Sequence, residues 1–163
     1  EIVETNRNPE ESQLRIIDNK PIAYNGDPVK DNQGNVRTGS DGRPLDKAYG
    51  LGVTLTYELQ FGSEAEKPDR GTELTVTEHI ERTIDGKPAG TFDRSISFIG
   101  NKFQDFVGNV NPNPSGPGIL ESRQTITVTG TFGGEKIEYL KRENQLTVNP
   151  KTNTIKIVEI TKP

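Results

Sequence analysis

Five polar side chains share strand faces with apolar residues, which makes them the candidates for chemistry. Successive side chains of a strand point to opposite faces, and the alternation places Glu78, Arg82, Arg94, Ser122 and Gln124 in the apolar sets. A carboxylate, a guanidinium and an amide that converge in an apolar cavity can orient a ligand or polarise a carbonyl group. The alternative is an internal salt bridge, or polar residues at the point where strands extend past the core.

Long hairpins must position these residues. The stretch Thr72–Ile99 predicts two strands joined by a tight turn at residues 84–88, and Leu51–Phe61 shows the cleanest alternation. A strand over Ile119–Phe132 turns at Gly133-Gly134. Shorter strands are predicted at residues 13–17, 22–24, 102–107, 137–140, 146–148 and 154–160, with a turn at residues 18–21. Because no segment keeps helical periodicity over three turns, the sequence predicts an all-β fold.

The length and composition favour one β domain with appended polar segments. The chain has 163 residues, of which only 29% are hydrophobic, so part of it is not expected to pack. Residues 1–12 are predicted to be a flexible N-terminal arm, and residues 25–49, rich in Gly, Asn, Asp and Pro, a long loop. Residues 13–163 are expected to form a single domain, an antiparallel up-and-down β-barrel of about eight strands.

Several function classes are disfavoured. The net charge of −4 argues against nucleic-acid binding. The sequence contains no run of 18 apolar residues, so no membrane span is predicted. The absence of cysteine excludes disulfides and thiol catalysis. The compartment, cytoplasmic or exported, stays open because neither a leader nor disulfides are visible.

Metal sites are also disfavoured, and no metal or cofactor is predicted. The single histidine, His79, falls on the polar face of its strand and is expected to face solvent, which argues against a catalytic triad or a zinc site. Turns hold four aspartates that lack the spacing of an EF-hand loop, so we expect Asx turns there: Asp27, Asp31, Asp41 and Asp46.

The order of features from Thr72 onward resembles the allene oxide cyclase and dirigent-type barrels, including the bacterial barrel cyclases. The matching pieces are residues 85–90 (DGKPAG), a Phe-rich strand, residues 116–118 (GPG), and residues 122–124 (SRQ) opening a strand that ends in residues 130–134 (GTFGG). The pattern spans Val53 to Ile160. The loop at 25–49 has no counterpart in it, and tryptophan is absent.

The resemblance implies an eight-stranded barrel whose apolar cavity folds a hydrophobic small molecule into a reactive shape, as a cofactor-independent cyclase or isomerase. It assigns the catalytic role to Glu78, Arg82, Arg94 and Gln124. The side chains expected to line the cavity are Tyr57, Val76, Ile80, Phe92, Ile96, Phe98, Ser122, Ile126 and Tyr139. Two alternatives stay open: a non-catalytic, lipocalin-like binding protein, and an exported structural or adhesion subunit that forms homo-oligomers through its N-terminal arm.

Overall fold

The computed structural model describes residues 1–4, 11–28, 30, 33–38, 41–43, 47–111, 113–114 and 116–160. The only helical turn among them is a 3₁₀ turn at Glu64–Glu66. The described strands are β1 (Ile2–Val3), β2 (Gln13–Asp27), β3 (Ala48–Gln60), β4 (Leu74–Ile84), β5 (Lys87–Phe98), β6 (Lys102–Asn111), β7 (Leu120–Phe132), β8 (Glu135–Asn149) and β9 (Thr154–Ile160).

These strands form two sheets, one of six strands in the order β1-β9-β8-β7-β4-β5 and one of three in the order β2-β3-β6. Neighbouring strands are antiparallel except β1 and β9, which are parallel. The all-β prediction is confirmed. A closed barrel would require β5 to pair with β6, and β2 to pair with the opposite edge of the larger sheet. Among the described residues no such ladders form, so the predicted up-and-down barrel is not confirmed.

The apolar faces of the two sheets pack against each other to form the core. Alternation supplies this face on every long strand, because every second side chain points between the sheets. From the smaller sheet come Val53, Leu55, Tyr57, Leu59, Phe103 and Val107, and from the larger sheet Leu74, Val76, Ile126, Val128, Leu146, Val148 and Ile157.

The smaller sheet is too narrow to cover the larger one, and the inner face of β5 is left partly open. Residues 99–101 connect β5 to β6, and the rings of Phe98 and Phe103 lie 5.3 Å apart beside this turn. Further along β5, Phe92 and Ile96 are 39% and 46% exposed. β5 and β6 therefore belong to different sheets although a short turn joins them. We call the open gap between these two strands the seam.

The turn predicted at residues 18–21 is wrong, because β2 runs through it as one strand. A register shift between Ile16 and Asp18 absorbs one extra residue. Pro21 is tolerated because β2 lies at a sheet edge. The bulge also reverses the parity of the strand, so that Asn19 and Pro21 share a face with their partners on β3.

The two short strands predicted at residues 137–140 and 146–148 are parts of one strand, β8. The polar residues between them suggested a break in the sequence. In the structure Arg142 and Asn144 keep the parity of Leu140 and Leu146, and all four side chains are buried. A register shift opposite Val128 and Thr129 accommodates one extra residue near the start of β8.

The polar segments are described only in part. Ile2 and Val3 of the predicted arm pair with Ile157 and Val158 of β9, whereas residues 5–10 lie outside the described residues. Within the predicted loop, β2 and β3 extend to residues 27 and 48, and Lys30 forms a bridge with Val36. Asp41 accepts a hydrogen bond from the Arg43 N–H, as expected for an Asx turn. Asp31, Asp46 and the side chain of Asp27 lie outside the described residues.

Candidate functional site

A guanidinium and two carboxyl groups meet at the seam between β5 and β6. Glu78 and Arg94 are paired across β4 and β5, and both side chains point between the sheets. Arg94 Nε donates to Glu78 Oε2 at 2.6 Å, and Arg94 Nη2 lies 2.6 Å from Asp105 Oδ1 on β6. Arg94 Nη2 also lies 3.3 Å from the Phe106 carbonyl oxygen. One arginine therefore bridges the two sheets where their backbones are not paired.

The two carboxyl groups are buried, whereas the arginine is partly exposed. The exposed side-chain fraction is 5% for Glu78, 8% for Asp105 and 38% for Arg94. Burial is the largest of the causes that raise the pKa of Asp105 to about 8, and a hydrogen bond with Glu78 and the charge of Glu78 add to the rise. Arg94 acts in the opposite direction and lowers this pKa. Asp105 is therefore largely protonated at neutral pH. Its second oxygen, Oδ2, faces no hydrogen-bond partner among the described residues.

A slot of about 120 Å³ opens beside these groups. Val76, Ile96 and Phe103 provide apolar walls, and Glu78, Arg94 and Asp105 provide the polar ones. This volume is below the range of roughly 300–1,000 Å³ typical of whole-ligand pockets. The slot therefore suits one functional group of a ligand rather than a whole ligand of ordinary size.

A second buried polar cluster lies further across the larger sheet, centred on Arg142, which is 1% exposed. Arg142 Nε donates to Asn144 Oδ1 at 2.8 Å, and Asn144 Nδ2 donates to the Tyr57 hydroxyl at 3.1 Å. The Tyr57 ring stacks on Phe103, with centroids 5.0 Å apart. Burial raises the pKa of the Tyr57 hydroxyl above its ordinary range, so it stays neutral. Tyr57 and Phe103 thus link this cluster to the wall of the slot.

The structure brings together two of the four predicted catalytic residues, Glu78 and Arg94. Gln124 is fully buried on the same face, opposite Ile80, and neither of its side-chain polar atoms has a partner among the described residues. The Arg82 guanidinium lies 5.1 Å from the centre of the Phe92 ring. Four residues along β4 correspond to about 13 Å, so Arg82 lies away from the Glu78–Arg94 pair.

The residues predicted to line a cavity divide by burial. Tyr57, Val76, Ile80, Ser122 and Ile126 are buried. Phe98 is partly buried against the core, whereas Phe92 and Ile96 are exposed on the inner face of β5. The side chain of Tyr139 lies outside the described residues. Of this set, Val76 and Ile96 line the slot, and ligand contact by all of them stays a prediction.

Sequence reasoning missed Asp105, Arg142, Asn144 and Glu159. Extended alternation could have found them, because Asp105 shares parity with Phe103 and Val107, and Arg142 and Asn144 share parity with Leu146. Only the strand predicted at residues 137–140 ended before its polar residues, Arg142 and Asn144. Asp105 and Glu159 lie inside the strands predicted at 102–107 and 154–160, where the polar residues on the apolar face were overlooked. The contact between Asp105 and Arg94 joins two strands of different sheets, and no sequence signal indicates it.

His79 lies on the outer face of β4, with 45% of its side chain exposed, as predicted. Its Nδ1 lies 2.7 Å from Asp93 Oδ1, and this hydrogen bond raises the pKa of the imidazole. Within the described part of the chain, no group of three or more His, Cys, Asp or Glu side chains is arranged to hold a metal ion. The described residues contain no helix with the length and hydropathy of a membrane span.

Comparisons with protein families, curated proteins and solved structures find no match for this chain. The resemblance to the allene oxide cyclase and dirigent-type barrels therefore stays a prediction. The function has to be argued from the slot and its side chains.

Proposed function

We propose that this protein is a cofactor-independent acid–base enzyme, of the isomerase or cyclase kind, whose reaction takes place in the slot between β5 and β6. The observation that carries the proposal is the contact of one arginine, Arg94, with two buried carboxyl groups, Glu78 and Asp105, where burial raises the pKa of Asp105. Neighbouring titratable groups whose environments separate their protonation states are the usual arrangement for general acid–base catalysis.

The proposed step is proton transfer next to a carbonyl group. Glu78 removes a proton from the carbon beside the carbonyl while Asp105 donates its proton to the carbonyl oxygen, so that the C–H bond breaks and an enol forms. When a double bond lies one carbon further along, the enol is conjugated, and Glu78 returns its proton to the far end of that double bond while the enol hydroxyl returns its proton to Asp105. This moves the double bond next to the carbonyl and restores both carboxyl groups. Arg94 favours this exchange because it contacts both carboxyl groups and stabilises whichever is ionised.

The proposed substrate class is a hydrophobic small molecule with one carbonyl group and a carbon–carbon double bond one carbon further along. The slot accommodates the reacting group, and the exposed side chains of Phe92 and Ile96 along β5 offer an apolar surface for the rest. If β5 and β6 move together over a bound ligand, the gap between them closes, as in the barrel that the sequence pattern predicts. Closure of this kind would exclude water from the reacting carboxyl groups.

The second candidate is a non-catalytic binding protein that uses the same slot. It is favoured by the two contacts of 2.6 Å through which Arg94 already engages both carboxyl groups, as a structural ion pair would. The predicted subunit assembly through the N-terminal arm has less support, because Ile2 and Val3 pair with β9 of their own chain.

Cyclohexanone, a compact apolar ketone, can test these candidates. Its hydrogen–deuterium exchange beside the carbonyl is followed by NMR in the native chain, in Glu78→Gln and in His79→Gln, a control on the outer face of the same strand. The methyl resonances of Val76 and Ile96 report binding in the slot. The enzyme proposal predicts exchange that is lost in Glu78→Gln and kept in His79→Gln.

Binding without catalysed exchange would refute the acid–base step and leave the binding protein. Neither binding nor exchange at millimolar ketone, in a folded chain, would refute both candidates. Exchange that persists unchanged in Glu78→Gln would place the base elsewhere.

A further inference from the structure

The N-terminal segment delivers a carboxylate to a buried arginine. Glu4 Oε1 lies 2.7 Å from Arg142 Nη2, and Glu4 Oε2 lies 3.1 Å from Arg142 Nη1. This two-point contact is the geometry in which guanidinium groups recognise free carboxylates. The rest of the described segment contributes the two-residue strand β1 and two hydrogen bonds of Glu1, to Ile155 and Ile157.

Burial distinguishes Glu4 as the replaceable partner of Arg142. Arg142 Nη1 also lies 2.9 Å from Glu159 Oε2 on β9 and donates to the Leu14 carbonyl oxygen at 2.6 Å. Arg142 thus contacts two carboxylates, which differ in how deeply they are buried. Glu159 is part of a core strand and 4% exposed, whereas the Glu4 side chain is 20% exposed. Loss of Glu4 would leave Arg142 paired with Glu159.

A cleft of about 510 Å³ lies beside this segment, within the usual size range of small-molecule sites. Ile2, Val53, Ile155 and Ile157 give it an apolar lining. Ile2 and Glu4 are two residues apart in an extended segment and so point to the same side. The segment therefore places an apolar group against the cleft, followed by a carboxylate on Arg142.

We propose that the N-terminal segment is an internal pseudoligand, and that the cleft together with Arg142 is a binding site for small amphiphiles with an apolar chain and one terminal carboxylate. Such a molecule displaces β1, so that its chain takes the place of Ile2 against Ile155 and Ile157 and extends into the cleft, and its carboxylate takes the place of Glu4 on Arg142. The segment of a second copy is a weaker candidate, because it would present the same two side chains and leave the cleft unfilled. This site is separate from the slot at β5 and β6.

Decanoate provides the test, with decanol as the uncharged molecule of matched chain. Binding to the full chain is measured by titration calorimetry for the native protein, for Glu4→Gln and for Glu73→Gln, a control that removes an exposed carboxylate outside the cleft. Removal of the competing carboxylate is expected to tighten decanoate binding in Glu4→Gln by roughly tenfold to a hundredfold, the range for a charge-assisted hydrogen-bonded contact. Decanol should gain less than decanoate, because it has no carboxylate for Arg142, and the Glu73→Gln variant should show no gain for either molecule.

A second variant, Ile2→Ala, distinguishes a change in decanoate binding from a loss of folding. Ile2→Ala weakens the docking of the segment without touching Arg142, and it should also tighten decanoate binding. The proposal is overturned if folded Glu4→Gln and Ile2→Ala bind decanoate no better than the native chain. It is also overturned if decanol gains as much as decanoate in Glu4→Gln, the variant that frees Arg142 for a carboxylate. Binding of a synthetic peptide of residues 1–6 in place of decanoate would indicate segment exchange between copies instead.

Discussion

Replacement of Asp105 by asparagine is expected to change how the stability of this protein depends on pH. The folded-state pKa of this carboxyl is about 8, compared with 3.8 for an unperturbed aspartate. Between these values the folded chain holds a proton that the unfolded chain has released. The stabilising contribution is therefore complete below about pH 4 and is lost as the pH rises through about 8.

The magnitude follows from the linkage between proton binding and folding. One proton bound only in the folded state lowers the free energy of unfolding by about 1.4 kcal/mol for each pH unit in this window. From about pH 5 to about pH 7 the loss should approach about 2.7 kcal/mol. Because Glu78 contributes to the raised pKa of Asp105, the slope depends on both carboxyl groups. The asparagine side chain cannot ionise, so the Asp105→Asn variant lacks this slope.

Urea denaturation at several pH values measures the effect directly. The native chain is compared with Asp105→Asn and with Glu73→Gln, which removes an exposed carboxylate. As the pH rises from about 5 to about 7, the unfolding free energy of the native chain should fall relative to that of Asp105→Asn. The curve of unfolding free energy against pH for Glu73→Gln should run parallel to that of the native chain. Parallel curves for Asp105→Asn as well would refute the raised pKa and, with it, the acid proposed for the slot.

Three further predictions concern the backbone, the core and the outer face. Gly50→Ala should destabilise the fold by roughly 2–4 kcal/mol more than Gly90→Ala in urea denaturation. Both residues have positive φ, but only at Gly50 would the new methyl group meet a backbone carbonyl of the facing strand, at 2.0 Å; equal effects would exclude this clash. Tyr57→Phe removes the hydroxyl that accepts a buried amide hydrogen bond, and its unfolding free energy should fall by about 1–3 kcal/mol; an unchanged value would show that water or another group replaces it. His79 should titrate above its ordinary pKa in NMR and return toward it in Asp93→Asn, and its contribution to stability is present at low pH and lost as pH rises through the raised pKa; a titration unaffected by Asp93→Asn would contradict the hydrogen bond as its cause.

The strands and their inner faces could be predicted from the sequence. Side-chain alternation is a local property of an extended backbone, so the hairpin of β4 and β5 and the burial of Glu78 and Gln124 follow from parity alone. The tight turns could be predicted as well. Asp85 and Gly86 both adopt positive φ, as a two-residue hairpin turn requires. Alternation failed where a bulge inserts a residue, as at Ile16 and Asp18 on β2, because a bulge depends on the pairing of that strand with its neighbour.

The division of the strands between two sheets depends on tertiary structure. Local sequence encodes the short turn from β5 to β6, but the hydrogen bonding of each strand to a different neighbour separates them and creates the slot. The partners of Arg94 and Arg142 depend on packing in the same way. Asp105 is 11 residues from Arg94 and Glu4 is 138 residues from Arg142, and both contacts join separate elements. Parity predicts that a charge points inward, whereas only the folded chain determines which opposite charge meets it.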